Sequence, residues 1–345
     1  MGARSTGSHP TTTKGDGHLL DYFRSSLSAG GGGSNFVPVT PLTASGGSTY
    51  IPGDGFKYHV FTSSNTFVVS AETTEVASVM VLAAGGGGGG SMGGGGGSGG
   101  MLLNNNSYPL EPGTYTVTVG GGGAGAPGPS GNGSVGGNSE FYIPSDPSPQ
   151  RAVALGGGFG GAYSHVYGAG GGAGGSGGGR GGAHAEPGNV PGHPGTQPAN
   201  NPNPTLWTTY GNPSGDGQSS GYGGAGGGGT GGAGTPGGSG PVSNFPGGPA
   251  QTVSAFPGPG LGLPAIPSNK WGAGGQGRGY GSSVSAPNNA RTDGIGGGAP
   301  ATPDPTGVGG GITNSGSGGG GGSYNSGAGG LGGSGIVILR YPHEA

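Results

Sequence analysis

Apolar residues in this chain gather into short runs separated by long stretches without side chains, and the period of each run sets the element it predicts. Leu19, Leu20, Phe23 and Leu27 recur at spacings of three and four behind Asp16, a candidate N-cap. They form one face of a helix of about two and a half turns, stopped by the glycines at 30–33. A helix this short is marginal alone, so its face needs a surface, either on its own domain or in a larger assembly. From residue 36 the pattern changes to β-branched and aromatic runs bounded by turn residues. Lys57–Phe61 and Thr66–Val69 flank Ser64-Asn65 and predict a hairpin. Val79–Leu82, within Val76–Ala83, is apolar on both faces and reads as a central strand. Tyr115–Val119, Glu140–Ile143 and Ala152–Leu155 follow, and Ile336–Tyr341 closes the pattern. About seven strands suffice for one small antiparallel sandwich.

Between the strands lie glycine segments at 85–100, 120–138, 156–182, 221–240 and 296–335. Ile336–Tyr341 is the most apolar six-residue run in the chain, yet it comes after a largely glycine-rich insertion from 156 to 335. Exposed, it would be an aggregation segment. It is therefore expected to return into the N-terminal sheet, bringing both ends of the glycine region to one base.

Composition sharpens this expectation. The 345 residues include 102 Gly and 31 Pro, a share above the roughly 25–30% that marks low complexity. Collagen needs a strict three-residue glycine register, and six consecutive glycines at 85–90 break it. Ordering a glycine backbone costs roughly 1–2 kcal/mol per residue, and no side chain is present to offset that. Polyproline-II geometry places amides sideways, so such helices can bond to one another where no Cβ intervenes. A polyglycine-II bundle on a rigid sandwich base answers the cost, and the alternative is a set of flexible Gly/Ser loops. Ala173, Ser176, Ala225, Ala233 and Ala328, the non-glycine interruptions, are small, as close packing demands.

Charge and chemistry narrow the function. Ten Lys+Arg, unclustered, and a net charge of −3 give no phosphate-binding surface, so no nucleic-acid partner is expected. Cysteine is absent, which removes disulfides, thiolate metal sites and thiol nucleophiles. Val76–Ala84, the longest apolar run, is far short of a membrane span, so no membrane insertion is expected. The first twenty residues show no apolar core of a secretory signal. Gly85–Gly90 satisfies G-x-G-x-x-G without a βαβ unit, and Gly96-Gly97-Ser98-Gly99-Gly100 satisfies G-x-S-x-G without a strand–helix elbow. The seven His are scattered. No catalytic residue, no metal ligand set and no cofactor is assigned, and the protein is not expected to be an enzyme.

Large aromatics inside the glycine zone stand out. Trp207 and Tyr210 lie in a Pro/Asn-rich stretch, and Phe245, Phe256 and Trp271 in a second. If glycine runs are struts, these stretches are end loops, and their aromatic faces suit sugar rings or protein loops. The competing assignment makes Trp207 and Trp271 plugs between helices or covers for the base.

Three anchors occur in order: Val79-Met80-Val81-Leu82-Ala83-Ala84 running into Gly85–Gly90, then Gly113-Thr114-Tyr115-Thr116-Val117-Thr118-Val119-Gly120, then Gly332-Gly333-Ser334-Gly335-Ile336-Val337-Ile338-Leu339-Arg340-Tyr341. Their order over about 56–341 resembles the glycine-rich domain of tailed-phage virion proteins, especially tail-fibre and adhesin tips. The resemblance implies an external virion appendage, on head or tail, whose polyglycine bundle presents loops to a host surface. The expected organisation is an all-β fold with a polyglycine-II bundle. Residues 1–35 form an anchoring arm that would hold other virion proteins through Leu19, Leu20, Phe23 and Leu27. Residues 36–345 form the glycine-rich domain. Its antiparallel sandwich base takes 50–83, 113–119, 139–155 and 336–341, and its bundle takes 84–112, 120–138 and 156–335. Trp207, Tyr210, Phe245, Phe256 and Trp271 are the expected contacts to a host-surface glycan or protein. A capsid or tail decoration protein with a mechanical role and a bacterial surface adhesin are the other readings.

Overall fold

The computed structural model describes residues 42–71, 75–142, 151–164, 170–183, 190–218, 222–238, 244–266, 269–280, 309–324 and 327–343. The arm residues Leu19, Leu20, Phe23 and Leu27 lie outside these described residues. The strands are β1 (Ala44–Ser45), β2 (Ser48–Tyr50), β3 (Phe56–Phe61), β4 (Asn65–Val69), β5 (Val76–Leu82), β6 (Met101–Pro109), β7 (Gly113–Thr118), β8 (Ser139–Tyr142), β9 (Ala152–Ala154), β10 (Thr208–Tyr210), β11 (Asn244–Phe245), β12 (Gln251–Thr252), β13 (Lys270–Trp271), β14 (Gly277–Arg278) and β15 (Ile336–Pro342).

Two antiparallel sheets make the base, one ordered β1-β4-β7-β8-β9 and the other β10-β6-β5-β15-β3-β2. As its apolarity demands, β15 returns to the middle of the second sheet. Ile338 faces Met80 of β5 on one side and Val60 of β3 on the other. The two-residue period of these strands then divides the core. Val79, Val81, Val337, Leu339 and Tyr341 pack between the sheets with Phe67, Tyr115 and Phe141. Met80, Leu82, Ile336 and Ile338 point to the opposite face, where Val253, Phe256, Leu261, Ile266 and Trp271 cover them. The second sheet is thus a middle layer, buried on both faces.

Three segments expected in the bundle belong instead to this base. Met101–Pro109 is the strand β6, paired along β5 with a register shift between Ala77 and Val79. Its polar centre masks it in the sequence. Asn104 is buried, its side-chain oxygen accepts from the Ser107 N–H, and the Ser78 hydroxyl accepts from the Asn106 N–H. Thr208–Tyr210 adds an edge strand to β6, and 253–266 with Trp271 supplies the third layer. The physical reason is shared: glycine rods carry no side chains and cannot cover a sheet face, so apolar residues from the intervening loops must do so.

The glycine runs bond with a period of three. Ala84, Gly87 and Gly90 donate to Gly137, Ser134 and Gly131; Gly85 and Gly88 to Gly333 and Gly330; and Gly86 and Gly89 to Gly97 and Gly94, all at 2.9–3.1 Å. These acceptors all lie on antiparallel rods. Parallel rods donate in return: Gly123 and Ala126 to Gly85 and Gly88, Gly319 and Gly322 to Gly86 and Gly89, and Gly157 and Gly160 to Ala84 and Gly87, at 2.7–3.0 Å. Residues 84–90 therefore form one rod of three residues per turn, about 20 Å long at roughly 3.1 Å rise, ringed by described rods on all sides. The next run, 93–100, is ringed likewise by 83–89, 155–161, 176–179, 225–228, 275–278 and 316–322. This is polyglycine-II packing, built outward from two central rods.

Space, not backbone conformation, is what these glycines provide. None of the glycines at 85–90 or 93–100 has a positive φ. A Cβ on Gly85, Gly87, Gly88 or Gly96 would collide with the carbonyl oxygen of Ser317, Ala124, Gly320 or Gly86 respectively. Outer rods show the same three-residue period in burial. Residues 120, 123 and 126 are buried, as are 327, 330 and 333, while Ala124, Pro127, Asn132, Val135 and Leu331 are exposed. Side chains appear where the rod faces water and end the lattice there. Inside, the few hydroxyls pair with each other, as Ser98 and Ser176 do at 2.9 Å.

Candidate functional site

The rods give the described glycine-rich domain two poles. Rod 84–90 leaves the base at Ala83 and turns at Ser91-Met92, and rod 93–100 runs back into β6. The turn uses non-glycine residues at positive φ, Ser91 at 20° and Met92 at 45°. In a chain so rich in glycine, a strained methionine there reflects its side chain, which is buried as a plug at 1% exposure. At the opposite pole, the Leu42 N–H donates to a Glu75 carboxylate oxygen at 3.1 Å, next to the start of β5, and the His343 N–H donates to the Gly55 carbonyl at 2.9 Å. Leu42 and His343 are therefore held at the end of the base opposite the one from which β5 runs into the rods.

Four rods bring a tyrosine to the turn. The Tyr163 N–H donates to the Ser91 carbonyl at 3.2 Å. Tyr222 lies against Gly182, whose N–H donates to the Met92 carbonyl at 2.9 Å. Tyr280 follows Arg278, whose N–H donates to the Gly93 carbonyl at 3.0 Å, and Tyr324 follows Gly322, bonded to Gly89 at 2.7 Å. The rings meet as a fan. Tyr222 and Tyr280 are 5.7 Å apart at 53°, and Tyr280 and Tyr324 are 4.7 Å apart at 48°. Tyr280 and Tyr324 are about half exposed, at 54% and 49%. Burial, and then the nearby Tyr222 and Tyr324 phenols, hold the Tyr163 phenol above its ordinary pKa. The fan offers aromatic faces with hydroxyl groups beside them, which suits contact with a partner surface.

The aromatics picked out by composition sit elsewhere. Trp207 is 2% exposed and packs in the sandwich core, 5.3 Å from the Tyr108 ring. Phe256 and Trp271 are fully buried over the outer face of the second sheet, where the Trp271 indole N–H donates to the Phe256 carbonyl at 3.2 Å. Phe245 is buried against Gly223 and Gly238, whose missing Cβ atoms make room for its ring. Tyr210 is half-buried in β10 opposite Met101. Trp207, Phe245, Phe256 and Trp271 thus act as plugs that cover the base and fill gaps between rods, while Tyr210 stays partly accessible on its edge strand. Sequence reasoning misses the tyrosines of the fan because each is a single residue in a glycine context. The available signal is position, an aromatic at the junction of a glycine run and its loop.

Other candidate chemistry is sparse. A half-open groove of about 360 Å³ runs between 262–266 and 310–314, lined by Leu263, Ile266 and Ile312 without a titratable side chain. Among the described residues, no group of three His, Cys, Asp or Glu is placed to hold a metal ion.

A family description, the glycine-rich domain, matches residues 62–342. The chain belongs to the glycine-rich domain family. The matched span opens between β3 and β4 and closes with β15, so the family's domain takes in the rods, the tyrosine fan and most of the sandwich. Comparison with curated proteins gives no match.

Proposed function

We propose that this glycine-rich domain protein is a non-enzymatic structural protein of a tailed-phage virion, an appendage that holds its bundle tip toward the host surface. The observation that carries the proposal is polarity. The half-exposed Tyr280 and Tyr324 rings stand at one pole, and Leu42 and His343 lie at the other. Rods bonded on every side between the poles make a stiff spacer, which suits a device that must hold a contact surface away from its attachment. The virion context rests on the resemblance of the three sequence anchors. In this reading residues 1–35 attach to other virion proteins, and the tyrosine fan with its neighbouring loops meets a host glycan or protein.

Stiffness also favours a second reading, a capsid or tail decoration protein whose role is mechanical. One experiment separates the two. Particles carrying the Tyr280→Ala/Tyr324→Ala protein are compared with wild type for host adsorption, with the purified variant's melting midpoint measured alongside. The appendage reading expects adsorption to fall at least tenfold with the midpoint unchanged. Unchanged adsorption refutes it in favour of decoration. Deleting 1–35 is expected to release the protein from particles, and retention would refute the anchor.

A further inference from the structure

Tyr280 and Tyr324 are the closest ring pair in the fan, with centroids 4.7 Å apart and planes 48° from each other. Both residues are about half exposed. They are held together by the lattice, because each ends a rod bonded to a central rod through Arg278 or Gly322. Among the described residues, the tryptophans and methionines are withdrawn from the surface. The chain has no cysteine, Trp207 and Trp271 are buried, and Met92 is 1% exposed. Two reactive groups held in contact on a rigid frame react as though at very high local concentration.

We propose that Tyr280 and Tyr324 are an oxidative cross-linking site, joined as dityrosine by a haem peroxidase using hydrogen peroxide. Each phenol loses one electron and its hydroxyl proton and becomes a neutral phenoxyl radical. The two radicals combine through ring carbons ortho to oxygen, forming one carbon–carbon bond. The hydrogens on those carbons then shift to the oxygens, restoring both phenols. Two hydrogens leave the protein in all, and one hydrogen peroxide is reduced to two waters. The bond ties rod end 280 to rod end 324 and gives a chain without disulfides a covalent clasp across its tip.

The test treats the full chain, dilute enough to disfavour encounters between molecules, with a haem peroxidase and limiting hydrogen peroxide. Products are read by intact mass, dityrosine fluorescence and peptide mapping. The expected product is a monomer lighter by two hydrogens, with the peptides bearing Tyr280 and Tyr324 joined. Tyr280→Phe and Tyr324→Phe keep the rings and the packing but each lose most of the fluorescence. Tyr50→Phe, in the base, keeps it. The proposal is overturned if no dityrosine forms, if it forms mainly in dimers or at other tyrosines, or if Tyr324→Phe leaves the yield unchanged.

Discussion

Replacing Gly87 by alanine adds one methyl group at the centre of the lattice. The Gly87 N–H donates to Ser134 at 2.9 Å, its carbonyl accepts from Gly160 at 2.8 Å, and the new Cβ would run into the Ala124 carbonyl oxygen. That oxygen belongs to the backbone of a rod pinned by its own bonds to Gly85 and Gly88, so no flexible side chain can yield. Moving the rod leaves two buried backbone groups poorly paired, at about 1–3 kcal/mol each. Overpacking adds about 1–3 kcal/mol. Against this, alanine narrows the unfolded ensemble and stabilises by about 0.4–1 kcal/mol. The net expectation is a loss of about 2–9 kcal/mol. Gly121 is the matched control, because a Cβ there meets nothing within 4 Å and its φ is not positive. Gly121→Ala keeps only the unfolded-state effect, so it is expected to be neutral or slightly more stable. Urea unfolding of both variants reads the difference as a shift in midpoint at constant slope. Equal midpoints for the two would refute the claim that these glycines serve close packing.

His59 is fully buried, with Nδ1 bonded to the Gly46 carbonyl at 2.7 Å and Nε2 to the Tyr341 hydroxyl at 3.1 Å. Burial holds its pKa below the usual 6.5, so below that pH the unfolded chain takes up the proton first. Stability should hold above pH 6.5 and fall as pH drops toward the folded pKa, and His59→Gln should flatten that fall in unfolding midpoints measured across the range. Burial, and then the Glu75 carboxylate, push the Tyr341 phenol up to about 12. Its contribution should be intact below the ordinary value of 10 and be lost as pH rises toward 12; Tyr341→Phe should lose less stability than wild type over that window. Trp207→Ala removes an indole from the sandwich core and should cost about 3–5 kcal/mol in urea unfolding. An unchanged midpoint would return Trp207 to the surface role that composition suggests.

The sandwich and its return strand are legible in the sequence because Ile336–Tyr341 has one low-energy destination, a sheet middle buried on both faces. Glycine packing is legible because nothing else could compensate the entropy of so many ordered glycines. What escapes is whatever does not follow a hydrophobic period. β6 carries Asn104-Asn105-Asn106 through its centre, and side-chain bonds at the register shift replace the apolar pattern. Trp207, Phe256 and Trp271 are visible as unusual residues, but sequence alone does not show that the second sheet has an outer face in need of cover. The tyrosine fan depends on where four rods end, and rod ends are set by lattice register across segments far apart in sequence.

Residue-resolved amide hydrogen exchange tests the lattice most directly. The N–H groups of Gly85–Gly90 and Gly93–Gly100 point into neighbouring rods and should exchange only at rates approaching those of global unfolding. The amides of Gly121, Gly122 and Ala124 lie on an exposed rod face and donate to no described backbone carbonyl, so they should exchange orders of magnitude faster while Gly123 and Ala126 beside them stay protected. Uniformly fast exchange through 85–100, without the three-residue alternation at 121–126, would contradict the polyglycine lattice outright.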